Sequence, residues 1–244
     1  MKTKIVIITG GSKGIGKALV AKYLKNNYLV YSLSRTKVNL DKEVKQIVLD
    51  VTDTNILQKK MDVIFTEIQQ FTLESITLIN NAGRLGTIAN IENIAVQDIQ
   101  KSVALNILAP MQLSAIFIKK LQNESAQKTI INITSGAAST AYAGWTPYCS
   151  SKAALEMLTK TIALEQQTAK NPVKILAIRP GVVATAMQEQ IRNTSKNNFS
   201  KVDKFIDLYK TNILSTTTDV ATKIYEIDMT SKLKSGDIID LRNV

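Results

Sequence analysis

The chain has 244 residues, of which 45% are hydrophobic and 21% are charged, and this composition excludes a disordered or collagen-like polypeptide. Its formal net charge is +11, and it contains one cysteine, Cys149, and no histidine. A single cysteine excludes an intrachain disulfide and a cysteine-based zinc site, and the lack of histidine excludes Ser-His-Asp and Cys-His catalysis. Acid–base chemistry must therefore come from Tyr, Lys, Asp, Glu or a bound cofactor.

Short runs rich in Ile, Val and Leu alternate with longer helical patterns along the chain. The predicted strands are Lys4–Thr9, Leu29–Ser34, Gln46–Asp50, Ile76–Asn80, Thr129–Thr134, Val173–Arg179 and Asp237–Leu241. The predicted helices lie near residues 15–26, 54–70, 95–121, 147–169 and 217–229. Because strands with little polar alternation are covered on both faces, we predict an α/β fold, a Rossmann-type doubly wound parallel sheet with helices on both faces. No repeat or linker divides the chain, so we predict one domain over residues 1–244.

The first apolar run, residues 5–8, is shorter than the roughly 7–15 residues of a secretory signal core. No apolar stretch reaches the ~20 residues of a membrane span. The positive charge is concentrated in residues 1–45, which hold ten basic and two acidic residues. This charge is explained by solvated helix faces, by a field that attracts a phosphate-rich ligand, or by a nucleic-acid partner. Because no nucleic-acid-binding module accompanies it, we expect a cytoplasmic protein with no nucleic-acid or membrane partner.

A glycine-rich loop follows the first predicted strand directly. Its glycines have the spacing G-x-x-x-G-x-G, which provides a tight turn, a close approach of the backbone to a pyrophosphate, and close packing of the next helix. The amino end of that helix directs free N–H groups and a positive dipole at the phosphates. The loop residues that we predict to bind a dinucleotide are Gly10, Ser12, Lys13, Gly14, Ile15 and Gly16.

Arg35 follows the second predicted strand, 19 positions after Gly16. At about this distance an acidic residue usually binds the ribose 2′-hydroxyl of NAD, whereas a guanidinium suits a 2′-phosphate. Lys13 adds a second cation nearby. These residues favour NADP(H) as the cofactor, and the alternative is that Arg35 is an ordinary surface residue.

The candidate chemical groups come after the fifth predicted strand. Tyr148 and Lys152 are four residues apart in a predicted helix and therefore lie on one face. A phenol is a poor base at neutral pH, but a nearby ammonium and an oxidised nicotinamide lower its pKa. Tyr148 can then exchange a proton with an alcohol or carbonyl oxygen, and Ser135 can hold the same oxygen.

The chain resembles the short-chain dehydrogenase/reductase family over essentially its full length, in five separated motifs. The resemblance implies that Tyr148 is the acid–base group and that Lys152 binds the cofactor ribose and tunes the tyrosine. It also implies that Ser135 orients the substrate and that Asn106 supports a proton relay. Pro110 lacks an N–H, so the carbonyl of Asn106 loses its i+4 partner and can hold a water. The further cofactor-binding residues implied by the resemblance are Asp50, Val51, Asn81, Ala82, Gly83, Pro180, Gly181, Val182 and Thr185.

The segments 144–149 and 180–188 are similar to the subgroup of the family that contains sepiapterin reductases and the (S)-benzoin-forming benzil reductases. Residues 186–212 read as an amphipathic lid with Phe199, Val202, Phe205, Ile206 and Tyr209 at helical spacing; the alternative is core packing. The predicted substrate contacts are Ser135, Tyr148, Trp145, Met187 and Leu85, with Asp240 where sepiapterin reductases anchor a pterin.

These observations predict an NADPH-dependent carbonyl reductase that acts on an aromatic ketone, a 1,2-diketone such as benzil, or a pterin side-chain ketone. A 3-oxoacyl thioester reductase or another alcohol/ketone oxidoreductase of the same family is an alternative. A non-catalytic NADPH-binding regulator on the same fold is another, although Asn106, Ser135, Tyr148 and Lys152 are all present. The resemblance further implies a homodimer or homotetramer that assembles through the helices at 95–121 and 147–169.

Overall fold

A computed structural model describes residues 2–230 and 232–243. Its centre is a seven-stranded sheet in the order β3-β2-β1-β4-β5-β6-β7, and every neighbouring pair is parallel. The strands are β1 (Thr3–Thr9), β2 (Leu29–Ser34), β3 (Lys45–Val48), β4 (Leu73–Asn80), β5 (Gln127–Ile133), β6 (Lys174–Arg179) and β7 (Ile238–Asp240). The predicted Rossmann-type fold is confirmed.

Eight α-helices flank this sheet among the described residues. They are α1 (Gly14–Lys25), α2 (Thr54–Ile68), α3 (Val96–Val103), α4 (Ala109–Lys120), α5 (Thr146–Gln166), α6 (Ala186–Arg192), α7 (Val202–Lys210) and α8 (Thr217–Met229). A π-helical turn (Ala104–Leu108) joins α3 to α4, so residues 96–120 form the one long helix that the sequence predicted. Each of the five predicted helices is present within three residues of its predicted ends.

Apolar side chains fill both faces of the sheet, as the continuous apolar strands predict. Helices α2, α4 and α5 cover one face, where Leu57, Phe117 and Ile162 pack into a single buried cluster. Helices α1 and α8 cover the other face, where Leu19 and Ile224 belong to a second buried cluster. Strands buried on both sides leave only their ends free to carry polar groups, so a functional site is expected at an edge of the sheet.

The helix over residues 96–120 is more apolar than the sequence analysis predicted. By length and composition alone this 25-residue helix is apolar enough to cross a membrane, with a mean hydropathy of 1.4 in its most apolar window. Within that window 44% of the residues are buried inside the protein, and α4 packs Leu113 and Phe117 against the sheet. One such helix is weak evidence of a span, because the core helix of a soluble protein passes the same test.

The predicted lid, residues 186–212, forms the two short helices α6 and α7 beside the carboxyl edge of the sheet. Phe199, Val202 and Phe205 are buried in a third apolar cluster, which also contains Tyr148. The expected apolar face is therefore present, except that Tyr209 is exposed and lies under the Arg192 guanidinium, 3.9 Å from the ring centroid. Residues 186–212 thus cover the third apolar cluster and also contribute buried side chains to it.

The chain leaves β1 toward β2 and β3, and then returns to place β4 on the other side of β1. The connections on the two sides of this point run in opposite directions, which opens a crevice at the carboxyl ends of β1 and β4. The strands are parallel, so the loops that follow β1, β4, β5 and β6 all begin at this edge. Ligands of doubly wound sheets bind at this switch point.

Candidate active site

The loop after β1 is shaped by the close approach of backbone to backbone. Gly10 has φ of +70°, and a Cβ there would lie 3.1 Å from the Cα of Ala82. A Cβ at Gly16 would lie 2.2 Å from the carbonyl oxygen of Gly10, so only glycine fits at that position. Among the described residues no side chain caps α1, and its first turn holds no acidic residue. The amino end of α1 therefore keeps backbone N–H groups available to an anion.

The loop after β4 is tied to the glycine loop by hydrogen bonds. The Oγ1 of Thr9 accepts from the backbone N–H groups of Asn81 and Ala82, each at 3.0 Å. The side-chain amide of Asn81 donates to the carbonyl of Thr9 at 2.9 Å. The loop after β6 approaches the same place, since a Cβ at Gly14 would lie 3.6 Å from the Cγ2 of Thr185. The structure thus brings together three of the predicted cofactor segments.

Most of the groups predicted near the adenosine end lie on the surface, and Val51 does not. Arg35 directly follows β2 and is exposed, and Lys13 is exposed in the glycine loop. Val51 is buried, whereas Asp50 is exposed. The carboxylate of Asp50 accepts from the N–H and the hydroxyl of Thr52 at 2.9 and 2.8 Å. The side chain of Asp50 is therefore already held in place beside the crevice.

Tyr148 lies in the first turn of α5 and is buried, with 7% of its surface exposed. Burial raises the pKa of Tyr148 above its ordinary value of 10.0, while the neighbouring hydroxyl of Ser135 partly lowers it. The expectation that a nearby ammonium and an oxidised nicotinamide together lower this pKa stays a prediction, because it depends on the bound cofactor. The Nζ of Lys152 is 5.7 Å from the centroid of the tyrosine ring, and the desolvation of the phenolate outweighs the other influences.

Lys152 is also buried, with 5% of its surface exposed, and burial lowers its pKa from 10.5 to about 8. Its Nζ donates to the backbone carbonyl of Ile133 at 2.8 Å, which fixes the side chain at the end of β5. A Cβ at Gly83 would lie 3.5 Å from this Nζ. The ammonium therefore faces the loop after β4, on the side of the site where the predicted cofactor segments converge.

Asn106 lies in the π-helical turn and is 1% exposed. Its side-chain oxygen accepts from the N–H of Arg84 at 2.9 Å, and its amide donates to the carbonyl of Arg84 at 2.8 Å and to the hydroxyl of Ser151 at 3.1 Å. At the end of the π-helical turn the N–H of Ala109 bonds to the carbonyl five residues earlier, at Ala104, and the water-holding carbonyl of Asn106 stays a prediction.

The sequence analysis missed an ion pair that joins α5 to the sheet. Both carboxylate oxygens of Glu156 accept at 2.7 Å from the guanidinium of Arg179, and the two side chains are 10% and 20% exposed. Glu156 comes one helical turn after Lys152, and Arg179 ends β6. The available signal was an acidic residue on the buried face of α5 and a basic residue at the end of an apolar strand, where each needs a partner.

The side of the site beyond Tyr148 is apolar and aromatic. We call the rings of Tyr142, Trp145, Tyr148, Phe199 and Phe205 the aromatic cluster. The indole of Trp145 stacks on Phe199 with centroids 4.8 Å apart, and it meets the Tyr148 ring edge-to-face at 5.8 Å. Two of the predicted substrate contacts, Leu85 and Met187, pack against the same rings.

Asp240, which was predicted to contact the substrate, is paired with a neighbouring side chain. Its carboxylate accepts from the guanidinium of Arg242 at 2.8 and 2.5 Å and from the backbone N–H of Arg242 at 3.1 Å. These bonds hold its pKa below the ordinary value. Both oxygens are therefore engaged, so Asp240 is bound to Arg242 and not directed freely at a ligand.

Comparisons with known proteins agree with this geometry. A family model described as short chain dehydrogenase matches residues 4–196, which include the glycine loop, Tyr148 and Lys152. The benzil reductase ((S)-benzoin forming) of Bacillus subtilis (strain 168) is 35% identical over 240 residues, covering 98% of this chain and 98% of that protein. The sepiapterin reductase of Rattus norvegicus is 29% identical over 211 residues, covering 78% of each chain. A solved structure of ElxO with NADP bound matches with a TM-score of 0.80 and 28% identity, over 99% of this chain and 97% of that chain.

Proposed function

The chain belongs to the short-chain dehydrogenase family and is an oxidoreductase, and we propose that it is an NADPH-dependent reductase of aromatic 1,2-diketones. The observation that carries this proposal is the place of Tyr148, whose phenol lies between the ordered polar groups around Lys152 and the aromatic cluster. The full-length similarity to benzil reductases of Bacillus subtilis and Bacillus cereus, at 35% and 36% identity, supports the same substrate class.

The residues at the switch point fit a dinucleotide. The close-packed glycines and the uncapped first turn of α1 suit a pyrophosphate, as judged from the described part of the chain. Exposed cations at Arg35 and Lys13 suit a 2′-phosphate, because a guanidinium binds phosphate oxygens in a bidentate fashion. Lys152, beside Gly83, would hold the ribose and nicotinamide end. When bound, NADPH supplies the hydride that the chain itself cannot provide.

The chain's own residues provide the proton and the positioning. At neutral pH a phenol with a raised pKa keeps its proton, so Tyr148 would donate it to the carbonyl oxygen as negative charge develops there. The hydroxyl of Ser135 would donate a hydrogen bond to the same oxygen. Lys152 would face the phenolate that Tyr148 becomes, and Asn106 holds the loop at Arg84 in place through two hydrogen bonds.

An aromatic ketone suits the apolar side of the site better than a pterin does. Trp145, Phe199 and Phe205 present ring faces and edges, which pack well against flat aromatic groups. A pterin needs polar partners for its ring nitrogens, and the predicted partner Asp240 is already paired with Arg242. A pterin side-chain ketone therefore ranks below a diaryl diketone as the substrate.

The test is the initial rate of NADPH consumption with benzil, measured beside the variant Tyr148→Phe. We expect turnover by the wild type and a loss of about 100-fold or more in the variant, the scale of general acid catalysis, with NADPH binding retained. Turnover that survives in Tyr148→Phe would remove Tyr148 from its role. A wild type that binds NADPH and leaves benzil unreduced would refute the diketone and direct the search to pterins and 3-oxoacyl thioesters.

The preference for NADPH has its own test in Arg35→Asp. We expect the ratio of kcat/KM for NADPH to that for NADH to fall at least about tenfold, because a hydrogen bond to a charged group contributes about 1.5–3 kcal/mol. Lys37→Asp is a matched control, since it makes the same charge change on an exposed residue two positions later. An equal fall in both variants would show that Arg35 acts only through net charge.

We further propose that the chain forms a homodimer or homotetramer in the cytoplasm through the outer surfaces of its two longest helical segments. Met111, Met157 and Leu164 are 40%, 61% and 64% exposed there. Large apolar side chains on a helix surface lose contact with water when a second copy covers them. Light scattering should give a mass of two or four chains for the wild type and a smaller mass for Met157→Glu. An unchanged mass would exclude this part of the surface from the interface.

A further inference from the structure

The indole of Trp145 carries a buried donor that has no partner. Its Nε1 is inaccessible to solvent and forms no hydrogen bond to any residue in the described ranges 2–230 and 232–243. The ring contacts around it are those of the aromatic cluster, with centroids 4.7 Å away at Tyr142, 4.8 Å at Phe199 and 5.5 Å at Phe205. An unsatisfied buried N–H is a cost to the fold, so its presence calls for an explanation.

This donor lies next to the reacting position. Trp145 is the residue directly before α5 and precedes Tyr148 by three positions. Their rings meet at 87° with centroids 5.8 Å apart. The indole is therefore the aromatic neighbour of the residue that would donate the proton.

A 1,2-diketone differs from a simple ketone by a second carbonyl oxygen on the adjacent carbon. Among the side chains of the aromatic cluster, only the tyrosine hydroxyls and the indole N–H can donate a hydrogen bond. The hydroxyl of Tyr148 is assigned to the oxygen that is reduced. Two donors then remain, the hydroxyl of Tyr142 and the Nε1–H of Trp145, and of these two residues it is Trp145 whose ring contacts Tyr148 in the described structure.

We propose that Trp145 is a specificity-determining residue whose Nε1–H donates to the unreduced oxygen of a bound 1,2-dicarbonyl compound. The inference rests on the proposed function and deepens it, because it explains preference for a diketone over a ketone of the same shape. The bond also orients the substrate, since it fixes which of the two carbonyl carbons lies beside Tyr148. The unsatisfied donor in the free protein then gains a partner when substrate binds.

The lid accounts for how this donor is both buried and usable. Phe199 covers one face of the indole. The backbone of Asn198, the residue before Phe199, packs tightly against Gly144, since a Cβ at Gly144 would lie 2.4 Å from the carbonyl oxygen of Asn198. Gly144 has φ of +87° and permits this approach. For the substrate to reach Nε1, the rings of Phe199 and Phe205 must move away from Trp145, which makes α7 and the segment before it the moving part.

A competing explanation is that the indole N–H lies over the tyrosine ring and is satisfied by its π-face. In that case Trp145 only supports the ring of Tyr148, and its replacement changes the turnover of every substrate equally. The two explanations therefore differ in their effect on a pair of substrates that differ by one oxygen.

The experiment compares benzil with deoxybenzoin, which has the same two phenyl groups and a methylene in place of one carbonyl. The quantity measured is the ratio of kcat/KM for benzil to that for deoxybenzoin, with NADPH, in the wild type and in Trp145→Phe. We expect this ratio to fall about 2- to 12-fold in the variant, the range of one neutral hydrogen bond. Phe199→Leu is the control, because it alters the same cluster while it keeps the donor, so both substrates should change by the same factor.

A ratio that stays the same in Trp145→Phe overturns the inference and leaves the proposed function standing. A wild type that reduces neither compound overturns the proposed function, and the inference with it. A second measurement needs no variant, because Trp145 is the single tryptophan of the chain. With NADP+ bound, benzil should shift the emission maximum of the indole to longer wavelength more than deoxybenzoin does. Equal shifts would contradict the hydrogen bond even if Trp145→Phe failed to fold.

Discussion

Replacing Lys152 with Met should stabilise the unliganded protein at neutral pH while it abolishes the chemistry. Lys152 is 5% exposed, and burial lowers its pKa from 10.5 to about 8. The native state therefore binds this proton more weakly than the unfolded chain does, and the charged lysine destabilises the fold. A shift of this size corresponds to about 3 kcal/mol at pH 7.

The sign and the pH window follow from the two pKa values. Between pH 8 and 10.5 the unfolded lysine still holds its proton and the native lysine has lost it, so the stability of the wild type rises with pH. Lys152→Met lacks this dependence. It also lacks the hydrogen bond to the carbonyl of Ile133, which contributes about 1 kcal/mol. We expect the variant to be more stable than the wild type by about 2 kcal/mol at pH 7, and this advantage to vanish near pH 10.

The assay is urea unfolding of the unliganded wild type and variant at pH 7, 8.5 and 10, followed by circular dichroism. Comparing the two proteins at each pH cancels the titration of all other groups. Lys160→Met is the matched control, because Lys160 is exposed on the same helix and its replacement should give a difference that does not depend on pH. A difference between Lys152→Met and the wild type that is equal at pH 7 and pH 10 would refute the reasoning.

Three further predictions concern the fold and the crevice. Glu156→Gln should lower the free energy of unfolding by about 1–3 kcal/mol in urea, because it leaves the partly buried Arg179 without its counter-charge; an unchanged midpoint would contradict this. Phe117→Ala should lower it by about 3–5 kcal/mol, since this fully buried ring packs between α4 and the sheet, and a loss below 1 kcal/mol would show that the core collapses around the cavity. Gly16→Ala should weaken NADPH binding by at least about tenfold in calorimetry, because the new Cβ would lie 2.2 Å from the carbonyl oxygen of Gly10. An unaltered Kd would argue against the glycine loop as the binding site.

The strands were predictable where burial is continuous and less so where it is not. β2 begins and ends at the predicted residues, because its middle residues, Ser32 included, are buried and polar turns flank it. β4 begins at Leu73, three residues before its predicted start, because Glu74 and Ser75 interrupt the apolar run while the backbone of Leu73 and Ser75 still pairs with β1. β3 ends before Asp50, whose carboxylate binds Thr52 and turns the chain away from the sheet. Backbone pairing and local capping are not visible in an apolar pattern.

The candidate site was predictable to the extent that its residues are linked by local spacing. Tyr148 and Lys152 share a helix face by their i, i+4 relation, and the glycine loop follows from its position after the first strand. The raised pKa of Tyr148 was not predictable in the same way, because it results from burial in an apolar cluster that also contains Phe199 and Phe205, 51 and 57 residues away in the chain. The pairing of Asp240 with Arg242 likewise depends on a side-chain rotamer.

The two halves of the site impose opposite demands on Tyr148, and its environment reconciles them for reduction. A group that must deliver a proton to a carbonyl oxygen has to carry that proton at the working pH, which an ordinary phenol with a pKa of about 10 already does, and burial raises the pKa of Tyr148 further. Once the proton has left, the phenolate needs a nearby positive charge. Lys152, with a pKa of about 8, is mostly protonated at neutral pH and lies 5.7 Å from the ring. In the proposed reaction Tyr148 would carry its proton until transfer, and the buried ammonium of Lys152 would stabilise the phenolate that transfer leaves.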